Sequence, residues 1–367
     1  MSRRALTLCS LLALGCGSSG QVPDGFDEAD GGAVDGDGEV VDLRGGGAVD
    51  LPGGGADGPT VDLAADLAPP KSSDPDHAGS RQVARFDLQV PLGGGLFSSL
   101  ATTVYGPSDD GKSLAAQGAP FPTVIFSPGF MVDRNGYAYY AQRLASHGFV
   151  VVTQSYRNAG DHNGDVADTI ALLTWLIKPT GPEAGKIAGK IDGFRVGLTG
   201  HSLGGKVSTL TASRDARVRA VFGIDPVDGA KPPFGQPQPS AITALAGYKG
   251  ATGWLGETIS AMGMLGQSCA PAGENYQKFY QASPAPSFAI TFPGADHMDF
   301  LDDANCLLCG LCGQGKANPP DTHRLAMKYT TAFFRRHLLG DLAADDVLSG
   351  ARFAADAATG AVTLEKK

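Results

Sequence analysis

The chain has no basic stripe of the kind that follows a phosphate backbone, and this argues against nucleic acid as a partner. Its N-terminal apolar run, Ala5 to Leu14, is too short to span a bilayer as a mature helix. Cysteine is scarce, with six in 367 residues and four beyond Cys16. Three of them, Cys306-x2-Cys309-x2-Cys312, start an iron–sulfur spacing, but position 316 is Lys and no fourth ligand follows. Aspartate is missing altogether between Asp228 and Asp296, which limits where a catalytic acid can come from. Glycine, at 52 residues, is abundant instead.

Those glycines are unevenly placed. Met1-Ser2-Arg3-Arg4 followed by the apolar run is the pattern of a secretory signal. Leu12-Ala13-Leu14-Gly15-Cys16 has the form of a bacterial lipobox, which predicts cleavage over residues 1–16 and lipidation of Cys16. A plain secretory signal is the alternative. Residues 17–80 are Gly, Asp, Ala and Pro with scattered Val and Leu, and Val-Asp-Leu recurs at irregular spacing. Such a segment buries too little apolar surface to offset its ordering entropy and is expected to be a disordered tether. It holds 14 acidic residues against Arg44 and Lys71, so the net charge of −9 belongs to the tether and says nothing about a substrate. Residues 81–367 suit one large α/β domain.

Within that domain, Val83 to Val90 and Leu100 to Tyr105 read as an antiparallel edge pair joined through Gly93-Gly94-Gly95. Pro122 to Ser127, Phe149 to Thr153, Phe194 to Thr199, Val218 to Ile224 and Ser287 to Phe292 read as buried strands, with a weaker one at Ala241 to Ala246. Helical spacing over Tyr137 to Ser146, Asp165 to Ile177, the stretch after Ser202, and Thr322 to Leu339 alternates with them. The predicted fold is α/β: a doubly wound, mostly parallel sheet with an antiparallel N-terminal edge, and functional residues at the carboxyl ends of strands.

One stretch organises the rest. Phe194-Arg-Val-Gly-Leu-Thr-Gly200-His-Ser202-Leu-Gly204-Gly205 is a strand running into G-x-S-x-G with a helix after it. This is the context of a nucleophile elbow, where a serine hydroxyl stands exposed on a tight turn. Ser202 needs a base. Of seven histidines, His77 lies in the tether and His147 precedes a helix-ending glycine. His201 is expected to point away from the tip of the elbow. His323 and His337 are expected to be solvated on the last helix, and His162 is an outside candidate in a loop. His297 follows the last strand, where this fold places its base. For the acid, Asp225 ends a strand directly, and Asp228 is the alternative three residues on. Glu257 and Glu274 are passed over because neither ends a convincing strand. The oxyanion hole requires two N–H groups. Leu203 offers one, and Phe130 or its neighbour Met131 the other.

These pieces stand in order along the chain: Pro122-Thr-Val-Ile-Phe-Ser-Pro-Gly-Phe130, Ala145-Ser-His-Gly-Phe-Val150, Gly200-His-Ser-Leu-Gly-Gly-Lys206, Gly223-Ile-Asp-Pro-Val-Asp-Gly229, Cys269-Ala-Pro-Ala-Gly-Glu-Asn275 and His297-Met-Asp-Phe-Leu-Asp-Asp303. Together they resemble the chlorophyllase family of α/β-hydrolases over most of 85–340. The early acid position is also similar to that of platelet-activating-factor acetylhydrolases. The resemblance implies an ester hydrolase with Asp225 as acid and His297 as base. Leu203 departs from the Arg typical of plant members, and Ser127-Pro128-Gly129 from their His-Gly. The Ser-Pro-Gly-Phe loop instead looks like bacterial cutinases and polyester hydrolases.

In an exported protein, Cys269, Cys306, Cys309 and Cys312 are expected to form two disulfides of unassigned connectivity, with a zinc site as the alternative. Asp302 and Asp303 are expected to cap or be solvated, with cation binding as the alternative. The whole predicts a monomeric, lipid-anchored serine carboxylic-ester hydrolase of the cell envelope or exterior. It would need no cofactor or metal and would act on a small or lipid-like ester. A non-catalytic binding protein on a hydrolase shell is the competing class.

Overall fold

The computed structural model describes residues 74–92, 99–158, 160–229, 236–260, 268–303, 312 and 315–367. The signal with Cys16, the tether up to residue 73, Gly93-Gly94-Gly95, Cys306 and Cys309 lie outside the described residues.

Strands β1 (Gln82–Pro91), β2 (Ser99–Ser108), β3 (Phe121–Ser127), β4 (Val150–Gln154), β5 (Ile191–His201), β6 (Val218–Ile224), β7 (Ala251–Glu257), β8 (Ser287–Phe292) and β9 (Thr363–Lys366) form one sheet in the order β1-β2-β4-β3-β5-β6-β7-β8-β9. β1, β2 and β9 pair antiparallel, and the strands from β4 across to β8 are parallel. The α/β architecture and its antiparallel N-terminal edge are as the sequence predicts.

The helices are α1 (Ala138–Ser146), α2 (His162–Ile177), α3 (Leu203–Arg214), α4 (Ala241–Ala244), α5 (Tyr276–Ala282), α6 (Pro319–Leu338), α7 (Ala344–Ser349) and α8 (Ala351–Ala358). Side chains alternate across each strand, so the sheet serves two cores. Phe126, Val151, Phe222 and Ile290 face α1 and α6, while Ile125, Val152, Val221 and Ala289 face α2, α3 and α5. That is why these strands read as unbroken apolar runs: both faces are covered.

One predicted strand is corrected, and one strand is missed by the sequence reading. Ala241 to Ala246 is not a strand. Ser240 Oγ accepts the N–H of Thr243 at 3.2 Å and caps α4, and a 3-10 turn over Leu245–Gly247 follows. Ser-Ala-Ile-Thr-Ala-Leu-Ala-Gly is a cap, helix formers and a glycine stop, and local chemistry wins over apolar count. The seventh strand is Ala251–Glu257, and Gly253 and Gly256 disguise it. A Cβ on Gly256 would collide with the Tyr276 ring, and one on Gly253 would sit 2.8 Å from both Phe222 and Phe288. The glycines that hide the strand are therefore the ones its packing requires. A consequence follows for the site: Glu257 ends a strand directly, beside the one that Asp225 follows.

Residues 74–80 are held against the domain. Arg324 Nη1 bonds Asp76 at 2.5 Å, Arg143 Nη1 donates to the Pro75 carbonyl at 2.9 Å, and the Gly79 N–H donates to Ser146 Oγ at 2.7 Å.

Candidate active site

Ser202 is the single residue between β5 and α3, at φ 54° and ψ −121°. A non-glycine residue there is strained, at a cost of about 1–3 kcal/mol, which neighbouring packing must sustain. The glycines on either side make that possible. A Cβ on Gly204 would overlap the Ser127 carbonyl, and one on Gly200 would overlap the Gly204 backbone. Leu203 opens α3, so its N–H belongs to the helix's first turn and lacks an intrahelical acceptor. The positive end of the helix dipole lies at the same place.

Asp225 follows β6 at φ 41°, a second strained residue, held by its N–H to the Leu255 carbonyl at 2.9 Å. His297 lies in the loop after β8. Its Nδ1 is 2.5 Å from Asp225 Oδ2, and both residues are buried. A carboxylate oxygen accepts, so Nδ1 carries the proton and Nε2 is left as the basic nitrogen. Burial pushes the His297 imidazolium down to about 4. It pushes the Asp225 carboxyl up.

The backbone of His297 is fixed from two sides. Its N–H donates to Ser260 Oγ at 2.9 Å, and its carbonyl accepts from His201 Nε2 at 2.8 Å. Because that acceptor is a carbonyl, His201 carries its proton on Nε2. Nδ1 then accepts from the Tyr137 hydroxyl at 3.0 Å, and Tyr137 Oη accepts the Gly129 N–H at 3.0 Å. Burial holds the His201 imidazolium well below its ordinary range, so this neutral tautomer persists. A single hydrogen-bonded line thus ties the Gly129-Phe130 loop to the His297 loop. The expectation that His201 points away is corrected: its ring centre is 4.5 Å from that of His297, and both line one cavity with Ser202. The sequence signal was His201 itself, inside the elbow, but nothing local says what its ring meets.

The cavity has a volume of about 510 Å³, with Ser202 and His297 set among Phe130, Met131, Met298 and Leu301. Phe130 is 58% exposed and Met131 67%. Two larger cavities, of about 590 and 640 Å³, open elsewhere, one beside Arg81, Arg85 and Arg143 and one beside Arg214 and Arg219. The first has no histidine in its lining, and in the second the Ser213 hydroxyl donates to the Leu210 carbonyl at 2.8 Å rather than to His337, so the chemistry and not the size selects the site.

The alternatives are placed elsewhere. Asp228 accepts from Ser240 Oγ and from the Ala241 N–H, both at 2.6 Å, and ties down the start of α4. His162 opens α2 and is not among the residues lining the cavity. His323 is buried rather than solvated, 3.1 Å from Asp302 and edge-on to Tyr140, because α6 packs against α1. Asp302 accepts the Tyr139 N–H at 2.9 Å in the first turn of α1, a capping contact. Cys269 and Cys312 form a disulfide at the cavity wall, which excludes a four-cysteine zinc site. Among the described residues, the trio of Asp225, Glu257 and His297 is the grouping closest to a metal-ligand set. Its imidazole is already committed to Asp225, and we assign it no metal.

Chlorophyllase-2 of Arabidopsis thaliana is 27% identical to this chain over 242 residues, 60% of this chain and 74% of that one. A bis(hydroxyethyl) terephthalate hydrolase of Streptomyces coelicolor is 28% identical over 189 residues, 51% of this chain and 53% of that one. Cutinase 2 of Thermobifida cellulosilytica is 29% identical over 107 residues, 29% of this chain and 40% of that one. A family model described as Chlorophyllase matches residues 113–358, from just ahead of β3 to the end of α8. On that match, and on an α/β sheet with its strand-end site, the chain belongs to the chlorophyllase family of hydrolases.

Proposed function

We propose that this chain is an exported serine carboxylic-ester hydrolase working through Ser202, His297 and Asp225. The observation that carries it is the buried 2.5 Å contact of His297 Nδ1 with Asp225, in a cavity that Ser202 shares. Ser202 Oγ attacks the ester carbonyl while His297 Nε2 takes its proton. The N–H groups of Leu203 and of Phe130 or Met131 receive the oxyanion. Collapse breaks the ester C–O bond, and the alcohol leaves with the proton from His297. Water, deprotonated by His297, then releases the acid from Ser202. The chemistry calls for no cofactor.

For the substrate, the exposed Phe130 and Met131 at an open apolar cleft favour small or medium esters over chlorophyll. Leu203, where plant members have Arg, is buried in the core, and no lysine or arginine is among the residues lining the cleft. Polyester ends are the second choice, supported by the likeness to a terephthalate hydrolase and a cutinase. Chlorophyll cleaved with the higher kcat/KM would refute this ordering.

The N-terminal pattern supports export and lipid anchoring at Cys16, with the hydrolase acting as a monomer on esters met outside the cell. No helix among the described residues is long and apolar enough to cross a membrane. Loss of metabolic palmitate labelling in Cys16→Ala tests the anchor. A fluorophosphonate probe tests the chemistry. It should label Ser202 in the wild type and leave Ser202→Ala, which should be inert, unlabelled. An unlabelled wild type with no ester turnover would instead favour a binding protein on a hydrolase shell.

A further inference from the structure

Two carboxyl groups stand at neighbouring strand ends, and only one of them has a part in the triad. Asp225 is fully buried. Its Oδ2 meets His297, while its Oδ1 has no hydrogen bond of ordinary geometry among the described residues, and the side chain and main-chain N–H of Glu257 are the groups that favour its charged form. A buried carboxylate oxygen left bare costs about 1–3 kcal/mol or more, and here it belongs to the group that must orient the base. Glu257, 3% exposed, ends the adjacent strand β7. One oxygen of Asp225, one oxygen of Glu257 and a ring nitrogen of His297 lie within 4.8 Å of one another.

We propose that Glu257 is a positioning residue whose carboxyl group donates a hydrogen bond to Asp225 Oδ1, fixing the Asp225 carboxylate for His297. The proposal rests on the triad assignment above. Glu257 Oε2 accepts the Ser260 N–H at 2.9 Å, so the other oxygen is the one to carry the proton. The same Ser260 holds the His297 N–H through its hydroxyl, so Glu257 braces the base as well as the acid.

The charges agree with this arrangement. The groups facing the pair are Asp225 after β6, His297 and Asp296 in the loop after β8, and Tyr276 at the start of α5. None is a lysine or arginine. Two adjacent buried carboxyls cannot both ionise cheaply. Burial and then the nearby Asp225 push Glu257 up to about 9. Burial pushes Asp225 up as well, but the His297 Nδ1–H at 2.5 Å favours the anion on Asp225, which leaves Glu257 the protonated member at neutral pH. Above that value the proton is lost, two anions face each other, and the hydrogen bond is gone.

The test measures kcat, KM and pH profiles with tributyrin in a pH-stat, for wild type, Glu257→Gln and Glu257→Leu. Fluorophosphonate titration counts the competent sites in each. Glu257→Gln still donates through its amide and should keep kcat within about 3-fold, whereas Glu257→Leu should lose about 30- to 100-fold in kcat at unchanged KM. The wild type should lose activity above about pH 9, and Glu257→Gln should not. If the Gln variant falls as far as Leu, if both keep the wild-type rate, or if the alkaline fall persists in Gln, the proposal is wrong. The Gln pH profile decides the matter even where Leu fails to fold. Failure of the triad assignment looks different: Asp225→Asn would keep full activity, or the wild type would not be labelled at Ser202.

Discussion

Asp225→Asn changes one atom and no volume, and it isolates the charge of the proposed acid. In the wild type the carboxylate can only accept, so His297 keeps its proton on Nδ1 and offers Nε2 to Ser202. An asparagine can turn its NH2 toward His297, moving the imidazole proton to Nε2, where it blocks the attack. Asp225 is 0% exposed, so no water replaces the lost acceptor. A buried charge-assisted hydrogen bond contributes about 1.5–3 kcal/mol. Adding the wrong tautomer brings the loss to about 5 kcal/mol, or ~10⁴-fold in kcat, by analogy with the orienting acid of serine proteases. The assay is the initial rate on p-nitrophenyl butyrate at pH 7.5, with folding checked by circular dichroism; KM should hardly move. Asp228→Asn is the internal control. Its oxygens are spent on Ser240 and Ala241, so kcat should stay within about 3-fold while stability drops by about 1–3 kcal/mol. The opposite ranking of the two variants would falsify the choice of acid.

Other consequences can be checked directly. His297 must be neutral to accept the Ser202 proton, and burial lowers its pKa to about 4, so the acid limb of kcat/KM should lie below the ordinary histidine value. A limb centred near pH 7 would contradict that. The disulfide Cys269–Cys312 closes a loop with a sequence separation of 43. Its loss in Cys269→Ser should cost about 4 kcal/mol on the loop-entropy estimate, and a denaturant midpoint equal to wild type under oxidising conditions would reject the link. Thiol titration of the exported, unfolded and unreduced protein should find nothing, and two reactive thiols would mean that Cys306 and Cys309 are not paired. Burial, and then Asp168 and Asp161, push Asp165 up to about 8. A raised pKa means that the folded state binds the proton more tightly, so this stability is full below the unfolded value and is lost as pH rises through 8. Asp165→Asn should therefore raise Tm at pH 8.5 by about 2–4 °C or more and change little at pH 4. Equal shifts at both pH values would refute the assignment.

Some features of this protein were determined by its sequence alone, because their causes are local. The elbow needs glycine at 200 and 204, and no other side chain leaves room for Ser202 at a positive φ. Buried parallel strands must be apolar on both faces, so β3, β4, β6 and β8 are legible as runs. Asp225 and His297 stood out as candidates by their position just after such strands, and their side chains meet at 2.5 Å.

What only the tertiary structure decided depends on contacts between segments far apart in the chain. β7 is unreadable locally because Gly253 and Gly256 make way for rings from β6, β8 and α5. With the strand hidden, so was Glu257, which lies in the core beside Asp225 only because β6 and β7 pair in that register. The same holds for His201, whose ring bridges Tyr137 and the His297 carbonyl, 64 and 96 residues away. A short-range pattern tells where a side chain starts. Which groups it meets, and hence which proton it holds, is decided by packing.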